Sequence, residues 1–339
     1  MINNLVNTIL RFSANIIGCE NLLKISGKKL ILPFYHSVSN QSLSHISPLY
    51  RHKSVSEFEA DLDFLLKHFQ PVSLEDVHAF SKGEKQFSKP SFHLTFDDGL
   101  REVYSKVFPI LQKKGIPATV FVNPDFVGNK ALFFRYKAAL LIDELKNLRI
   151  DKLPIFPFDL SIKTREKWIG WILAARYHQS EQLDQLAILL NVDFVKFLAE
   201  TKPYLNLDEL KILSQNGIEI GEHSMNHPLY RLISVEEQIR QTTESVAWVK
   251  QHFKPKILAF SFPFTDDGVK NEFFEKLDSN PNKPDLIFGT AGLNLEKRTN
   301  HLHRVAMETE LGSGSNILNT ALLKNIVKKI TGKSLIIRN

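Results

Sequence analysis

The sequence predicts an α/β chain whose parallel strands close, or nearly close, into a barrel. Short apolar runs alternate with amphipathic helical patterns from about residue 29 to the C-terminus, the mark of strand–helix–strand units on a parallel sheet. The number of these units favours closure over an open sheet. Polar clusters "YHS", "FDDG", "EHSMNHP", "FPFTDDG" and "HLHR" stand where apolar runs end, and in such barrels the carboxyl ends of the strands share one mouth.

Each element follows in order. "KLILPFYHS" (29–37) reads as a strand. "SEFEADLDFLLKHF" reads as a helix that repeats Phe58, Leu62, Leu65, Leu66 and Phe69 behind a Ser56/Glu59 capping box. "SFHLTFDDG" alternates Phe92, Leu94 and Phe96 against His93, Thr95 and Asp97, and "REVYSKVFPILQKKG" follows as a helix stopped at Gly115. "ATVFVN" is the next strand. A helix capped by Asn206 and Glu209 leads to the strand "GIEIGEH". A second helix, with a Ser234/Glu237 capping box, leads to "KILAFSFPF", then "DLIFGTAG" and a C-terminal helix from about 315 to 330. Between about 130 and 203 the rhythm breaks into helical stretches around "DKLPIFPFDL", which reads as an insertion over the mouth. The organisation expected is an amphipathic segment over 1–28 and a single barrel domain over 29–339.

The 339 residues are 43% hydrophobic and 24% charged, the make-up of an ordinary globular chain with no low-complexity tract. A single cysteine, Cys19, excludes an internal disulfide and a cysteine-built metal site, so any metal rests on His, Asp or Glu. The net charge of +6 suits a phosphate-bearing substrate, an anionic membrane or a merely solvated surface. No dense basic stripe interleaved with aromatics is visible, so nucleic acid is not an expected partner. The opening stretch spaces Ile2, Leu5, Val6, Ile9, Leu10, Ile16 and Ile17 at helical intervals; it either docks on the protein's own body or lies peripherally on a membrane. It lacks the charged start and unbroken apolar core of a secretory signal, so a cytoplasmic location is expected.

His223 and His227 stand four apart, followed by Pro228, which favours a loop. Two imidazoles and one carboxylate make a three-ligand site with a position left for water. Asp98 can supply the carboxylate and have its charge neutralised, leaving Asp97 free to accept a proton. The plainer alternative for "DDG" is a turn closed by Gly99. The second acidic pair, Asp266 and Asp267, reads as a turn.

"TFDDG" followed by "HSMNHP", with "FYHS" and "FPF" in support, resembles the NodB-like polysaccharide deacetylases of carbohydrate esterase family 4, over about residues 29–125 and 204–305. The resemblance implies an irregular, incomplete (β/α) barrel and hydrolytic removal of acetyl groups from sugars. It implies Asp98, His223 and His227 as ligands of Zn²⁺ or a similar divalent ion, and Asp97 as the base. A proton donor is then needed for the leaving nitrogen, and the late "NHLHR" offers His303, with His301 behind it. His36, Pro263, Phe264 and Arg304 are the expected substrate contacts. Two departures stand out: Ser261 occupies the place of an Arg that orients the base, for which Arg304 or Arg101 could substitute, and a following Trp is missing from "PDLIFGTAG".

The expected activity is metal-dependent de-N-acetylation of an N-acetylated glycan or its lipid- or nucleotide-linked precursor. The competing readings are a non-catalytic glycan-binding or scaffold protein that keeps the metal triad, and a metal phosphohydrolase.

Overall fold

The structure is a computed structural model that describes residues 2–338, excluding the side chains of residues 2–9 and 150. Strands Pro33–Tyr35, Leu94–Phe96, Ala118–Val122, Ile218–Glu222, Ala259–Ser261 and Leu286–Gly289 lie side by side, all parallel. These strands are buried on both faces, as expected for parallel strands wrapped by helices.

The ring closes through one passage of chain. His301–His303 pairs with Leu286–Gly289, Val305–Ala306 pairs with Pro33–Tyr35, and Arg304 alone separates them. Side chains alternate across a strand. Leu302 therefore faces the inner cluster that contains Leu32, Phe121, Ala259 and Phe288, and Arg304 also points inward. His301 and His303 point outward, where His301 lies beside Phe262 and Phe274.

A small parallel sheet of Leu30–Ile31, Ser91–Phe92 and Gln70–Pro71 flanks the barrel. The predicted strand through "SFHLTF" is split by His93, whose buried ring bonds both Val72 O and Thr119 Oγ1 at 2.8 Å and so ties the two sheets together. Gly221 sits where a Cβ would meet the Phe121 ring and Ala259 O at under 3 Å, so only glycine lets these strands approach.

The first capping box is two residues earlier than expected. Ser54 and Glu57 cap Val55–His68 reciprocally. The box of Asn206 and Glu209 on Leu207–Gln215 is present, and Ser234 caps Val235–Phe253 through Glu237 N. Between the strands Ala118–Val122 and Ile218–Glu222 run helices Phe134–Asn147, Arg165–Ala174, Ser180–Leu189 and Phe194–Thr201, packed around Phe156, Trp168 and Leu183.

Helix Ile2–Ile17 lies against the C-terminal helix Gly314–Ile330. Ala14 is buried in the main core, and the Asn15 amide meets Asn316 and Asn319. Phe12 and Ile16 remain exposed, and the expected apolar positions Ile2, Leu5, Val6 and Ile9 lie outside the described side chains. No described helix is long and apolar enough to cross a membrane.

Candidate metal centre

The strand Leu94–Phe96 ends in a tight turn that aims two carboxylates into the mouth. Asp98 and Gly99 both take left-handed backbone, at φ 69° and 60°. Such a conformation is costly for a non-glycine residue and collects at functional sites. The same holds for His227 at φ 63° and Phe264 at φ 58°. The loop bearing the two histidines is held from beneath: Asn123 Nδ2 donates to the carbonyls of His223 and Ser224, and Gln241 Oε1 accepts from Met225 N and Asn226 N.

Asp98 Oδ1 lies 3.5 Å from His223 Nε2 and 3.2 Å from His227 Nε2, with all three residues buried. His223 Nδ1 lies 2.8 Å from Ser261 O, to which it can only donate. That bond fixes the tautomer and leaves Nε2 a bare lone pair facing the carboxylate. Asp98 Oδ1 and His227 Nδ1 have no hydrogen-bond partner among the described residues. Asp98 Oδ1 and His223 Nε2 are thus two buried acceptors aimed at one another, an arrangement that calls for a cation. The spacing suits one, because ligands about 2.0–2.1 Å from a tetrahedral ion sit roughly 3.3 Å apart. Despite burial, the neighbouring imidazoles hold the Asp98 carboxyl well below its ordinary range.

Asp97 has a different setting. Arg304 grips it bidentately, Nη1 to Oδ1 and Nη2 to Oδ2, both at 2.7 Å, with neither residue exposed. Arg304 also donates to Thr95 Oγ1 at 3.0 Å and Ser261 Oγ at 2.5 Å, and its guanidinium lies over the Phe34 ring. Burial opposes the carboxylate charge, but Arg304 and His223 outweigh it and lower the Asp97 pKa. The adjacent carboxylates are thus separated by their partners: one faces imidazoles, the other a guanidinium.

A pocket of about 290 Å³ opens over this group, lined by Asp97, Asp98, His223 and His227 together with His36, Tyr50, Phe133, Arg135, Tyr136, Phe264 and Thr290. His36 Nδ1 is 2.6 Å from Glu308 Oε2, and Glu308 also accepts from the backbone N–H groups of His36 and Ser37. Burial disfavours the imidazolium, yet the Glu308 charge prevails and raises the His36 pKa to about 9. Tyr136, from the first helix after the barrel strand Ala118–Val122, donates to Asp98 Oδ2 at 2.6 Å. Neither Glu308 nor Tyr136 carried a sequence signal.

Several expected site residues stand elsewhere. His303 does not line this pocket. It faces outward on the closing strand, 3.2 Å from Glu296, so the expectation that it donates a proton to the leaving group is corrected by strand parity. Arg304, expected at the substrate, is fully buried beneath Asp97. Pro263 is buried behind Phe264 and does not line the pocket. Arg101 pairs with Glu209 on the outside.

Asp266 is not merely a turn residue. With Glu296, His301 and His303 it forms a second group whose ligand atoms lie within 4.8 Å of one another. Arg338 bonds both carboxylates of this group. Against the cost of burial, the imidazoles and that guanidinium keep the Asp266 carboxyl well below its usual range. This outer cluster already contains its cation.

The geometry now meets what known proteins show. The polysaccharide deacetylase family model matches residues 84–152 and 175–275, half of the chain. A poly-β-1,6-N-acetyl-D-glucosamine N-deacetylase of Staphylococcus epidermidis is 24% identical over 170 residues, 49% of this chain and 58% of the relative. Its Staphylococcus aureus counterpart is 31% identical over 98 residues, 26% of this chain and 34% of the relative. The chain thus spans between a third and three fifths of these relatives. In fold, it is similar to the Streptococcus pyogenes deacetylase PplD in complex with acetate (TM-score 0.54, 16% identity, 86% of this chain and 98% of that one). It is similar also to IcaB from Ammonifex degensii (TM-score 0.56, 18% identity, 87% and 98%). A family match across half its length, laid on a barrel of the same fold, makes this chain a member of the polysaccharide deacetylase family.

Proposed function

We propose that the protein is a metal-dependent de-N-acetylase acting on an N-acetylated amino sugar, within a polysaccharide or its precursor. The observation that supports this reading most directly is the convergence of Asp98 Oδ1, His223 Nε2 and His227 Nε2, with His223 Nε2 left as an acceptor, in a pocket that also holds a second carboxylate and a charged imidazole. Asp98, His223 and His227 would hold a divalent ion, most simply Zn²⁺. Such an ion lowers the pKa of a water and stabilises negative charge on a carbonyl oxygen.

The residues divide the remaining work. Asp97, kept ionised by Arg304, accepts a proton from the attacking water. As the water oxygen bonds to the acetyl carbon and the carbon–nitrogen bond breaks, the amine leaves with a proton taken from His36, whose partner Glu308 keeps it charged at neutral pH. Acetate and a free amino sugar result, and solvent exchange returns both groups to their starting states. Tyr136 fixes the carboxylate of Asp98, while Phe133 and Phe264, whose rings flank His227, wall the pocket.

Acetate release from N-acetylglucosamine oligomers by metal-loaded protein tests this. We expect release that disappears on chelation and returns with Zn²⁺. Metal-replete protein that binds the oligomers without releasing acetate would instead favour the glycan-binding reading.

A pH prediction follows from the His36–Glu308 pair. The raised pKa means that His36 is protonated below about 9 and neutral above it, so kcat should fall as pH rises through that value. Glu308→Gln removes the charge that stabilises the imidazolium and should draw the alkaline limb down toward ordinary histidine values, about 6.5. A limb unmoved by Glu308→Gln would remove His36 from the role of acid.

A further inference from the structure

Beside the catalytic pocket lies a groove of about 330 Å³ whose wall includes Arg135, Arg176, Tyr177, Leu173, Arg231 and Phe264. It adjoins the pocket, since Arg135 and Phe264 line both. Its far side is built by helix Arg165–Ala174 and the turn that follows, so the helical stretch between the barrel strands supplies half of this surface.

Three arginines, Arg135, Arg176 and Arg231, bring positive charge to the groove. Arg135 donates to Leu173 O at 2.7 Å, a bond that orients the guanidinium but leaves its charge in place. Neither Arg135 nor Arg176 has a carboxylate partner among the described residues. Of the three arginines only Arg231 is paired, with the exposed Asp267. Burial and the charge of Arg176 both push the Arg135 guanidinium below its ordinary range, as repulsion between like charges does. The protein pairs its buried arginines closely, Arg304 with Asp97 and Arg338 with Asp266 and Glu296, whereas Arg135 is half-buried and Arg176 exposed on the groove wall. Two guanidiniums lining one groove beside a binding pocket fit an anion with several acceptor oxygens, which planar forked donors recognise well. Around them, Leu173, Leu232 and Phe264 are exposed apolar side chains, which also suits the carrier to which such an anion is attached.

Resting on the deacetylase reading, we propose that this groove binds a phosphate or diphosphate ester joined to the N-acetylated sugar, so that the preferred substrate is a phosphate-linked precursor and not a neutral polymer. The sugar's acetamido group then lies at Asp98 and the two histidines, with Arg135 between it and the phosphate.

Calorimetric binding to chelator-treated wild-type protein, and in parallel to the Asp97→Asn protein, tests this without turnover. The ligands are a neutral N-acetylglucosamine oligomer, N-acetylglucosamine 1-phosphate, a nucleoside-diphosphate-linked N-acetylglucosamine and a short-chain prenyl-diphosphate-linked one. We expect the phosphate esters to bind at least about tenfold more tightly than the neutral oligomer, as charge-assisted hydrogen bonds provide. That ratio should shrink with added salt and collapse toward unity in Arg176→Gln and Arg135→Gln, with Arg176→Lys intermediate. A further gain for the nucleoside ester identifies a nucleotide carrier, and one for the prenyl ester a lipid carrier. A neutral oligomer that binds equally well, or a ratio that survives both glutamine substitutions, overturns the proposal. Failure of the deacetylase reading is separate: metal-loaded wild-type protein would release acetate from none of the four.

Discussion

Asp97→Asn is expected to lower kcat for acetate release by about 10²–10⁴-fold, the usual contribution of a general base, while the protein keeps its full metal content. The reasoning lies in the division between adjacent carboxylates. The amide introduced by this substitution would retain an acceptor oxygen for one Arg304 nitrogen but could not take a proton. The ion would rest on Asp98, His223 and His227, whose mutual distances do not involve Asp97. Asp98→Asn should behave differently and lose metal and activity together, because the charge facing both imidazoles would be gone. Elemental analysis beside single-turnover kinetics separates the two variants. Full activity in Asp97→Asn, or metal loss equal to that of Asp98→Asn, would end the assignment of a base distinct from the ligands.

Arg304→Met should be severe for a reason that acts through Asp97. The pair is buried on both sides, and removing one partner of a buried ion pair costs about 3–5 kcal/mol because the other charge stays uncompensated. On the proposed mechanism Arg304 is a positioning residue: it touches Asp97 and does not line the pocket. Arg304 lowers the Asp97 pKa. Asp97 therefore contributes stability that is present above the unfolded carboxyl pKa and lost as pH falls through its folded value, and in Arg304→Met that contribution disappears. The acid limb of the rate profile should accordingly move to higher pH, a shift that loss of folded protein alone would not produce. Ser261 offers a rescue, since its Oγ lies 2.5 Å from Arg304 Nη2. A guanidinium reaching from position 261 arrives at the same carboxylate, so Ser261→Arg combined with Arg304→Met should regain activity over Arg304→Met alone. An unshifted acid limb together with no rescue would reduce Arg304 to a packing role.

Much of the architecture was legible because it depends on local regularities. Alternating strand and helix patterns, caps such as Asn206/Glu209, and polar clusters at strand ends are all short-range signals. "TFDDG" and "HSMNHP" could be read for the same reason, each being a single turn or loop. The failures have two physical origins. Some were matters of phase: "HLHR" places Leu302 and Arg304 inward and His301 and His303 outward, and choosing His303 put the chemistry on the wrong face of one strand. The overlapping S-x-x-E frames of "KSVSEFE" likewise allowed the cap to be set two residues late. Other features depend on distant chain segments. Glu308 meets His36 from 272 residues away, Tyr136 reaches Asp98 from an intervening helix, and Asp266 finds its histidines on another strand, so no local pattern announces them.

The strand that joins the two sheet margins also carries the guanidinium that grips Asp97, and it follows every other barrel strand in the order of synthesis. A nascent chain halted before residue 301 would present an open sheet with unmatched margins and a buried carboxylate awaiting its counter-ion. Structural completion and chemical competence therefore arrive in one event, once the ribosome has passed this segment, and an unfinished copy has neither.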